Sequence, residues 1–575
     1  MKNLKLNLLL IAVSALVLSN CGGLQKMVDN AESVSYKVQP TPLETHGGEV
    51  EITVDASFPE KFFNKKAIVT ATPVLKYEGG QTEFESITLQ GESVEANNKV
   101  IPYAGGSYSL SAKIPYEDAM LKSMLVMQMT AQIGDKAAVE IPGVPIATGV
   151  IATPTLVMVK PEAIAMSDNF KRIIPETYSS DIHYVINKYD VRSSELKSDD
   201  IVDFNNKVKA ASENERVEIK AAKISAYASP DGEIDLNTKL SDNRGKSAES
   251  YLSKTLKKLN VQGSDAEQFL QVVSTAEDWD GFKKLMEEST IKDKELILRV
   301  LSMYSDADVR EKEIKNIAEA YLEIKDDVLP KLRRSQLLID VDKVGYSDEE
   351  LSALASENPD TLNVEELLYA ATLTDDNETK LAIYQKTFEK YPECVRAINN
   401  VGYVYVKLGK TAEAKAAFEK AKAIKENDIV KNNLGVVALL EGDAAAAEAL
   451  FTSAMSAGES VNYNLGIIKI QQGDYAAAVN YFGNKPSFNA ALAQLCNGET
   501  EKCITTLTEL GEVDCSWVYY LKAVAGARAG REEVVLSNIR LAVEKDKEGE
   551  IKAYALKDAE FRNFIASEGF AAIVQ

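Results

Sequence analysis

The sequence predicts a multidomain chain with an N-terminal all-β sandwich, a central α+β domain and a C-terminal all-α superhelix. Three observations predict this order. Polar and apolar residues alternate through residues 33–162, strand-like and helical stretches alternate through residues 163–345, and small and aromatic residues recur with a period of 31 to 33 within residues 346–575. The chain has 575 residues, enough for roughly three or four domains of about 150 residues.

The first twenty residues have the features of a secretion signal. Lys2 and Lys5 precede an apolar run over residues 8–18, which is too short to span a bilayer as a permanent helix. The run ends in Leu18-Ser19-Asn20-Cys21, which resembles a lipobox, the motif at which a signal peptidase cuts before a cysteine that becomes diacylated. The resemblance implies an outer-membrane lipoprotein of the type found in Bacteroidota, lipidated at Cys21.

On this interpretation residues 21–32 form a tether, and the lipid holds the protein at the outer membrane. The alternative is an ordinary secretion signal with an incidental cysteine. Some lipoproteins of Bacteroidota carry an acidic surface-export signal directly after the cysteine, whereas here Asp29 and Glu32 come later. This spacing favours the periplasmic face of the membrane, with exposure on the cell surface as the alternative.

Charge and composition argue against several classes of function. The net charge is −22, so nucleic acid is not an expected partner, because phosphate backbones are bound by basic surfaces. The only histidines are His46 and His183, which argues against histidine-based catalysis and zinc sites. No GxSxG, HExxH, P-loop or dinucleotide motif occurs. We expect a non-catalytic protein without a metal or cofactor; the alternative is a cell-wall-modifying enzyme that uses paired carboxylates.

Residues 33–162 predict a β-sandwich of about seven short strands. The aromatic stretch at residues 58–63 is interpreted as the edge of its core rather than as a ligand patch. Strand candidates are residues 50–54, 67–74, 109–114 and 125–133, and paired glycines mark turns at 47–48, 79–80 and 105–106.

Residues 163–345 predict the order β-α-β-α-β. About 70 extra residues with a helical pattern, 260–330, interrupt this order before the last strand. The predicted strands are residues 182–186, 217–228 and 335–342, and the predicted helices are residues 198–211 and 240–259.

The region around residues 224–244 resembles the C-terminal, peptidoglycan-binding domain of the OmpA family. The matching positions are Gly232, Asn237, Leu240, Ser241 and Arg244, followed by Lys331-Leu332-Arg333-Arg334 before the last strand. In that family an arginine pairs with a carboxylate of the diaminopimelate in the peptide stem, and an aspartate in the turn takes its amine.

The resemblance implies a peptidoglycan site formed by Arg244, Ser229, Asp231 and Asn237. Arg244 keeps the position of the arginine, whose planar fork suits a carboxylate. Ser229 stands at the position of the aspartate, and Asp231 is the nearest acid. The alternative is that Arg244 makes a structural ion pair and the domain is a spacer or an interaction surface.

Residues after about 363 contain units that resemble tetratricopeptide repeats. In each unit a glycine on a first helix precedes an alanine and a phenylalanine on a second, and these glycines lie 33 and 31 residues apart. The packing residues are Gly402, Tyr405, Ala414 and Phe418 in the clearest unit, Gly435, Ala447 and Phe451 in the next, and Gly466, Ala478 and Phe482 in a third. Weaker units lie at 364–392, near Gly498 and around Gly530, and C-terminal helices are expected to cap the array.

Together these resemblances predict a scaffold or adaptor of the cell envelope. It would bind protein partners through the concave face of the repeats, and peptidoglycan through the central domain. An accessory subunit of an outer-membrane secretion, import or surface-fibre assembly has the same features and stays open as an alternative. Four further cysteines, Cys394, Cys496, Cys503 and Cys515, are interpreted as core thiols, with a Cys496–Cys503 disulfide as the alternative.

Overall fold

The chain divides into two compact units in the computed structural model, which describes residues 23–575. The first unit comprises the described residues up to 166 together with residues 391–575, and the second comprises residues 167–390. Two parts of the chain that are far apart in sequence therefore fold together in the first unit. The predicted secretion signal and Cys21 lie outside the described residues.

The N-terminal part of the first unit is β-rich and forms two sheets that share one hydrophobic core. After a short helix, α1 (Gln25–Asp29), the strands are β1 (Ser35–Gln39), β2 (Leu43–His46), β3 (Glu49–Phe58), β4 (Ala67–Tyr77), β5 (Gly80–Glu83), β6 (Ile87–Gly91), β7 (Lys99–Ile101), β8 (Gly106–Pro115), β9 (Ser123–Ile133), β10 (Val139–Thr148) and β11 (Val150–Ile151). One sheet contains β1, β2, β3, β8 and β11, and the other contains β4, β5, β6, β7, β9 and β10.

Strand β3 shows why the sequence pattern predicted this region. Its apolar residues Val50, Ile52 and Val54 are buried and alternate with polar residues that are exposed or half-buried. The described residues up to 166 form eleven strands rather than about seven, because β2, β5, β7 and β11 span only two to four residues and are too short to show alternation. Phe58 and Phe63 are buried in the shared core.

The second unit is built on a four-stranded sheet in the order β12-β15-β13-β14, in which β14 alone is parallel to its neighbour. Its elements are β12 (Ile173–His183), α2 (Asp199–Glu213), β13 (Val217–Tyr227), α3 (Ile234–Lys258), β14 (Leu270–Thr275), α4 (Trp279–Glu288), α5 (Lys294–Met303), α6 (Ala307–Lys315), α7 (Ala318–Glu323), α8 (Leu329–Leu332), β15 (Arg334–Val344), α9 (Asp348–Glu357), α10 (Val364–Ala370) and α11 (Asn377–Lys390).

Two strands of this sheet differ from the sequence prediction. Strand β12 ends at His183 instead of running over residues 182–186, and its first half is exposed, so it carries no alternating pattern. Strand β14 lies inside the stretch predicted to be helical, and its six residues are mostly exposed at the edge of the sheet. The inserted helices α4 to α8 have a hydrophobic cluster of their own around Phe282 and Met286.

The C-terminal part of the first unit is an all-helical array of successive helix pairs. Side-chain caps begin several of its helices: Asp443, for example, accepts a hydrogen bond from the Ala446 amide at 2.9 Å. The helices are α12 (Val395–Lys407), α13 (Thr411–Ile424), α14 (Asp428–Leu440), α15 (Ala444–Thr452), α16 (Glu459–Gln471), α17 (Tyr475–Phe482), α18 (Phe488–Cys496), α19 (Thr500–Glu509), α20 (Ser516–Arg528), α21 (Glu532–Glu544), α22 (Ile551–Ala555) and α23 (Glu568–Val574). Over residues 23–575, none of the helices combines the length and the apolar character needed to cross a membrane.

Candidate functional site

Three glycines set the distance between the two helices of a pair. A Cβ atom at Gly402 would lie 2.5 Å from the ring of Phe418, and one at Gly435 would lie 2.7 Å from the ring of Phe451. Gly466 and Phe482 repeat the arrangement in the next pair, at 2.6 Å. Any larger residue would push the helices apart, so each glycine lets a second-helix phenylalanine pack directly on the backbone of the first helix.

The other repeat residues singled out from the sequence lie around these contacts. Ala414, Ala447 and Ala478 are fully buried on the second helices. Tyr405 is partly buried and packs against the cluster that contains Ala414 and Phe418. The repeat residues therefore set the packing within each helix pair. The side of each first helix that faces away from the second helix makes different contacts.

That opposite side carries six buried asparagines, which we call the asparagine row. Five of them are 0 to 1% exposed on the first helices of three successive pairs, and the sixth is 1% exposed on the fourth. Buried amides require hydrogen-bond partners, because an unpaired buried donor or acceptor costs about 1–3 kcal/mol. The row consists of Asn399 and Asn400 on α12, Asn432 and Asn433 on α14, Asn464 on α16 and Asn489 on α18.

The partner of the asparagine row is the chain itself. Residues 157–166, which we call the linking segment, follow the β-rich region and have no regular secondary structure. Val157 and Met158 pack against the core of the array, and Met166 is 8% exposed. The segment is therefore an extended peptide that lies along the first helices.

Each of four asparagines binds both main-chain groups of one residue in the linking segment. The Ile164 amide donates to Asn433 Oδ1 at 2.7 Å, and Asn433 Nδ2 donates to the Ile164 carbonyl at 2.8 Å. The same paired bonds join Met166 to Asn400 at 2.7 and 2.9 Å, Glu162 to Asn464 at 2.7 and 3.0 Å, and Met158 to Asn489 at 2.9 and 2.8 Å. The side-chain amides thus supply the hydrogen-bond donors and acceptors that a neighbouring strand would supply in a β-sheet.

The remaining asparagines connect the paired contacts. Asn399 Nδ2 donates to the Ile164 carbonyl at 3.1 Å, and Asn432 Nδ2 donates to the Glu162 carbonyl at 3.2 Å. Asn433 Nδ2 also donates to Asn399 Oδ1 at 2.9 Å, and Asn464 Nδ2 donates to Asn432 Oδ1 at 3.1 Å. These amide–amide bonds join neighbouring repeats and hold each amide in one orientation.

One side chain of the linking segment makes a charged contact with the array. The Glu162 carboxylate accepts a hydrogen bond from Ser460 Oγ at 2.8 Å and lies 3.8 Å from Lys485 Nζ. All of Pro161 to Ala165 are half-buried rather than buried. The array therefore binds the main chain at four residues of the segment and an acidic side chain at one of them.

A buried polar contact fixes the chain just before the linking segment. Thr153 Oγ1 donates to Glu560 Oε1 at 2.5 Å, and the Glu560 carboxylate also accepts from the Arg528 Nε at 2.9 and 3.1 Å. The side chain of Glu560 is 2% exposed. This pairing holds the end of the β-rich region against the last helices of the array.

Sequence reasoning missed the asparagine row, although a signal for it exists. Each of Asn400, Asn433 and Asn464 lies two residues before the glycine of its repeat, so Asn-x-Gly recurs at the same 33- and 31-residue spacing. Asn489 keeps the position, with Ala491 in place of the glycine. A polar residue repeated at a fixed offset inside a buried helix pattern predicts a ligand on that face.

The residues predicted to bind peptidoglycan line a second candidate site, a cavity of about 390 Å³ in the second unit. Asn237 is buried, and its Nδ2 donates to the carbonyls of Ser229 and Gly232 at 3.2 and 3.0 Å, which fixes the turn after β13. Ser229 donates to Asp231. Arg333, directly before β15, donates to Ser229 Oγ at 3.2 Å and to Asp231 Oδ2 at 3.3 Å.

Arg244 lies in the wall of this cavity and is 1% exposed. Its Nε donates to the Lys188 carbonyl at 3.1 Å and its Nη1 to the Tyr227 carbonyl at 2.9 Å. Burial lowers the pKa of the Arg244 guanidinium to about 10, so the group is still positive at neutral pH. Two of its nitrogens therefore donate hydrogen bonds to backbone carbonyls, a role that the sequence did not predict.

The inserted helices add charged groups to the same cavity. Glu311 and Lys315 of α6 line it and form an ion pair with each other. With Arg333 and Asp231 they give the cavity wall both signs of charge. Neither residue was singled out from the sequence, because the insertion has no counterpart in the motif that carries the OmpA resemblance.

The four cysteines of the described chain are free. Burial raises the pKa of the Cys496 and Cys503 thiols to about 12, so both are protonated at neutral pH and are poor nucleophiles. Among residues 23–575 the structure brings together no group of three or more His, Cys, Asp or Glu residues that could hold a metal ion.

Comparisons with known proteins identify the helical array. The tetratricopeptide repeat family model matches residues 395–428 and 459–483, which contain the pairs α12/α13 and α16/α17. The chain therefore contains tetratricopeptide repeats, which in general bind proteins or peptides. None of the curated proteins searched matches the chain.

Several solved structures are similar to parts of the chain. A tetratricopeptide repeat protein from Parabacteroides merdae is 14% identical, with a TM-score of 0.28 over 43% of this chain and 99% of that one. PilF from Pseudomonas aeruginosa is 17% identical, with a TM-score of 0.30 over 38% and 98%. A chain of the Cut9–Hcn1 heterotetramer of the APC/C is 11% identical, with a TM-score of 0.32 over 57% and 76%.

We predict that Asn433→Ala loosens the linking segment. The substitution leaves the half-buried Ile164 amide without its acceptor, which costs about 1–3 kcal/mol, so local opening rises about tenfold. The measurement is the rate at which a glutamate-specific protease cuts the native chain after Glu162. The exposed Asn480 on α17 provides the control: Asn480→Ala is expected to leave the rate unchanged. Equal rates for the two variants would contradict the role of Asn433.

Proposed function

We propose that this protein is a non-catalytic adaptor lipoprotein of the outer membrane, facing the periplasm, whose tetratricopeptide repeats bind extended polypeptide. The asparagine row is the observation that carries the proposal. It satisfies the main-chain N–H and C=O groups of four residues of the extended linking segment (Met158, Glu162, Ile164 and Met166) without forming a β-sheet. A surface that does this is suited to holding flexible chain segments of other proteins.

The chemistry of the row supports binding rather than catalysis. Carboxamides are neutral, and those of the row are hydrogen-bonded as donors and acceptors. They neither transfer protons at ordinary pH nor act as nucleophiles. The high pKa of the buried Cys496 and Cys503 thiols supports the same interpretation.

The membrane part of the proposal rests on the N-terminal sequence. The apolar run over residues 8–18 and the lipobox-like Leu18-Ser19-Asn20-Cys21 support export, cleavage and lipidation of Cys21. The acyl chains would insert into the membrane and leave the two folded units outside the lipid. No charge on the protein surface is needed for attachment on this account.

We predict that Cys21→Ser releases the protein from membranes. In cells fed an alkyne-tagged palmitate, the wild-type protein should carry the label and sediment with the outer-membrane fraction, whereas Cys21→Ser should be unlabelled and soluble or uncleaved. Cys394→Ser is the matched control and should behave as wild type. An unlabelled wild-type protein that still sediments with membranes would contradict the lipoprotein assignment.

Peptidoglycan binding by the second unit is the other part of the proposal. The cavity beside β13 supports it, because positive groups (Arg333 and Lys315) and negative groups (Asp231 and Glu311) line one space of about 390 Å³. Such a wall suits a ligand that carries both an amine and a carboxylate. The peptide stem of peptidoglycan, the ligand of the OmpA family that this region resembles, carries both groups. We assign contact with the amine to Asp231, since Ser229 carries no charge.

We predict that Asp231→Asn weakens retention of the soluble Cys21→Ser protein on purified peptidoglycan sacculi. Loss of a charge-assisted hydrogen bond of about 1.5–3 kcal/mol corresponds to a tenfold to hundredfold loss of affinity. Asp235→Asn, an exposed site on α3 outside the cavity wall, should bind like the parent. If the parent is not retained above background, or if both variants are retained equally, the second unit has no such function.

A further inference from the structure

The asparagine row is a peptide-binding surface that the protein's own chain occupies. The linking segment has one internal backbone hydrogen bond, from the Lys160 amide to the Met158 carbonyl at 2.9 Å. Its other main-chain contacts over residues 158–166 go to side chains of the array. Its conformation is therefore set by the surface under it and not by its own secondary structure.

The contacts define what kind of peptide this surface accepts. Glu162, Ile164 and Met166 alternate, so every second residue presents its N–H and C=O to an asparagine, as in an extended strand. A ligand must have N–H groups at these positions, which excludes proline there. Ser460 and Lys485 add a preference for a carboxylate at the position of Glu162.

The middle of the segment is accessible to solvent, so it can dissociate from the array. Residues 161–165 are half-buried, so they lie at the solvent boundary. Released N–H and C=O groups would be hydrated, and an incoming extended peptide would restore the same paired bonds on the array. When a peptide replaces the linking segment, the buried asparagines are therefore hydrogen-bonded both before and after the replacement.

We propose that the linking segment is an intramolecular competitor, and that the asparagine row binds in its place an extended, acid-containing segment of another protein. The proposal rests on the adaptor function argued above and specifies the partner's chemistry: a main chain free of proline at alternate positions, with a carboxylate over Ser460 and Lys485. Because the competitor is covalently attached, its effective concentration is on the order of millimolar. Only a partner that makes additional contacts, or a change that loosens the segment, fills the site from outside.

The test uses the soluble Cys21→Ser protein and a fluorescein-labelled peptide with the sequence of residues 155–168. Ile164→Pro removes the N–H that Asn433 accepts, whereas Ile164→Ala removes the same side chain and keeps the N–H, so the two variants form a matched pair. Fluorescence anisotropy is expected to show binding to the Ile164→Pro protein at least tenfold tighter than to the parent and to Ile164→Ala. Adding Asn433→Ala to Ile164→Pro should reduce the affinity about tenfold, and so should a lysine at the peptide position of Glu162.

Several outcomes would overturn the proposal. Equal affinity of the peptide for the parent and for Ile164→Pro would show that the segment does not compete. A folded Ile164→Pro protein that does not bind the peptide would show that the surface accepts only its own segment. If Ile164→Pro lowers the helical content, Glu162→Lys replaces it as the loosened variant. A parent protein whose dimer fraction rises with concentration and falls on adding peptide would assign the surface to a second copy of this chain. None of these results depends on membrane attachment, which the palmitate experiment tests separately.

Discussion

The paired hydrogen bonds between buried asparagines and the linking segment are the interaction on which the first unit depends. An extended chain on a partly apolar surface must satisfy its N–H and C=O groups, and it usually does so by joining a sheet. Here Asn400, Asn433, Asn464 and Asn489 each satisfy one residue. The linking segment comes directly after the β-rich region, so these bonds tie a region near the N-terminus to repeats more than 200 residues further along, as the 234-residue separation of Met166 and Asn400 shows. Together with the Thr153–Glu560 hydrogen bond, that connection holds the described residues up to 166 and residues 391–575 in one compact unit.

Helix geometry explains how one short motif serves two contacts. Residues two apart on an α-helix point about 200° apart, since each residue turns the helix by about 100°. In Asn433-Leu434-Gly435 the glycine therefore faces Phe451 of its own pair, while the asparagine faces the linking segment. Asn400 with Gly402 and Asn464 with Gly466 follow the same geometry. The close approach at the glycine and the ligand contact at the asparagine are thus two consequences of a single repeated sequence.

The parts of this structure that the sequence predicted are those with a strong local period. The glycine–phenylalanine pairs located the repeats, and the alternation in β3 located the β-rich region. Strand β14 was missed because six exposed edge residues carry no period of their own. The asparagine row was missed for a different reason: asparagines on a helix resemble solvent-exposed residues, and residues 157–166 resemble an ordinary linker until the fold brings the two together. The position of Arg244 was noted, but the use of its N–H groups by the Lys188 and Tyr227 carbonyls depends on a loop and a strand that no local pattern connects.

Residue-resolved hydrogen exchange of the linking segment tests this account most directly. The amides of Met158, Glu162, Ile164 and Met166 donate to asparagines, whereas Ala163 and Ala165 lie between the last three of these residues. Amides held in stable hydrogen bonds exchange only when the structure opens locally. Mass spectrometry with fragmentation that preserves the label should therefore find slow exchange at residues 158, 162, 164 and 166, and fast exchange at 163 and 165. Uniformly fast exchange over residues 158–166, or protection without this alternation, would contradict the account.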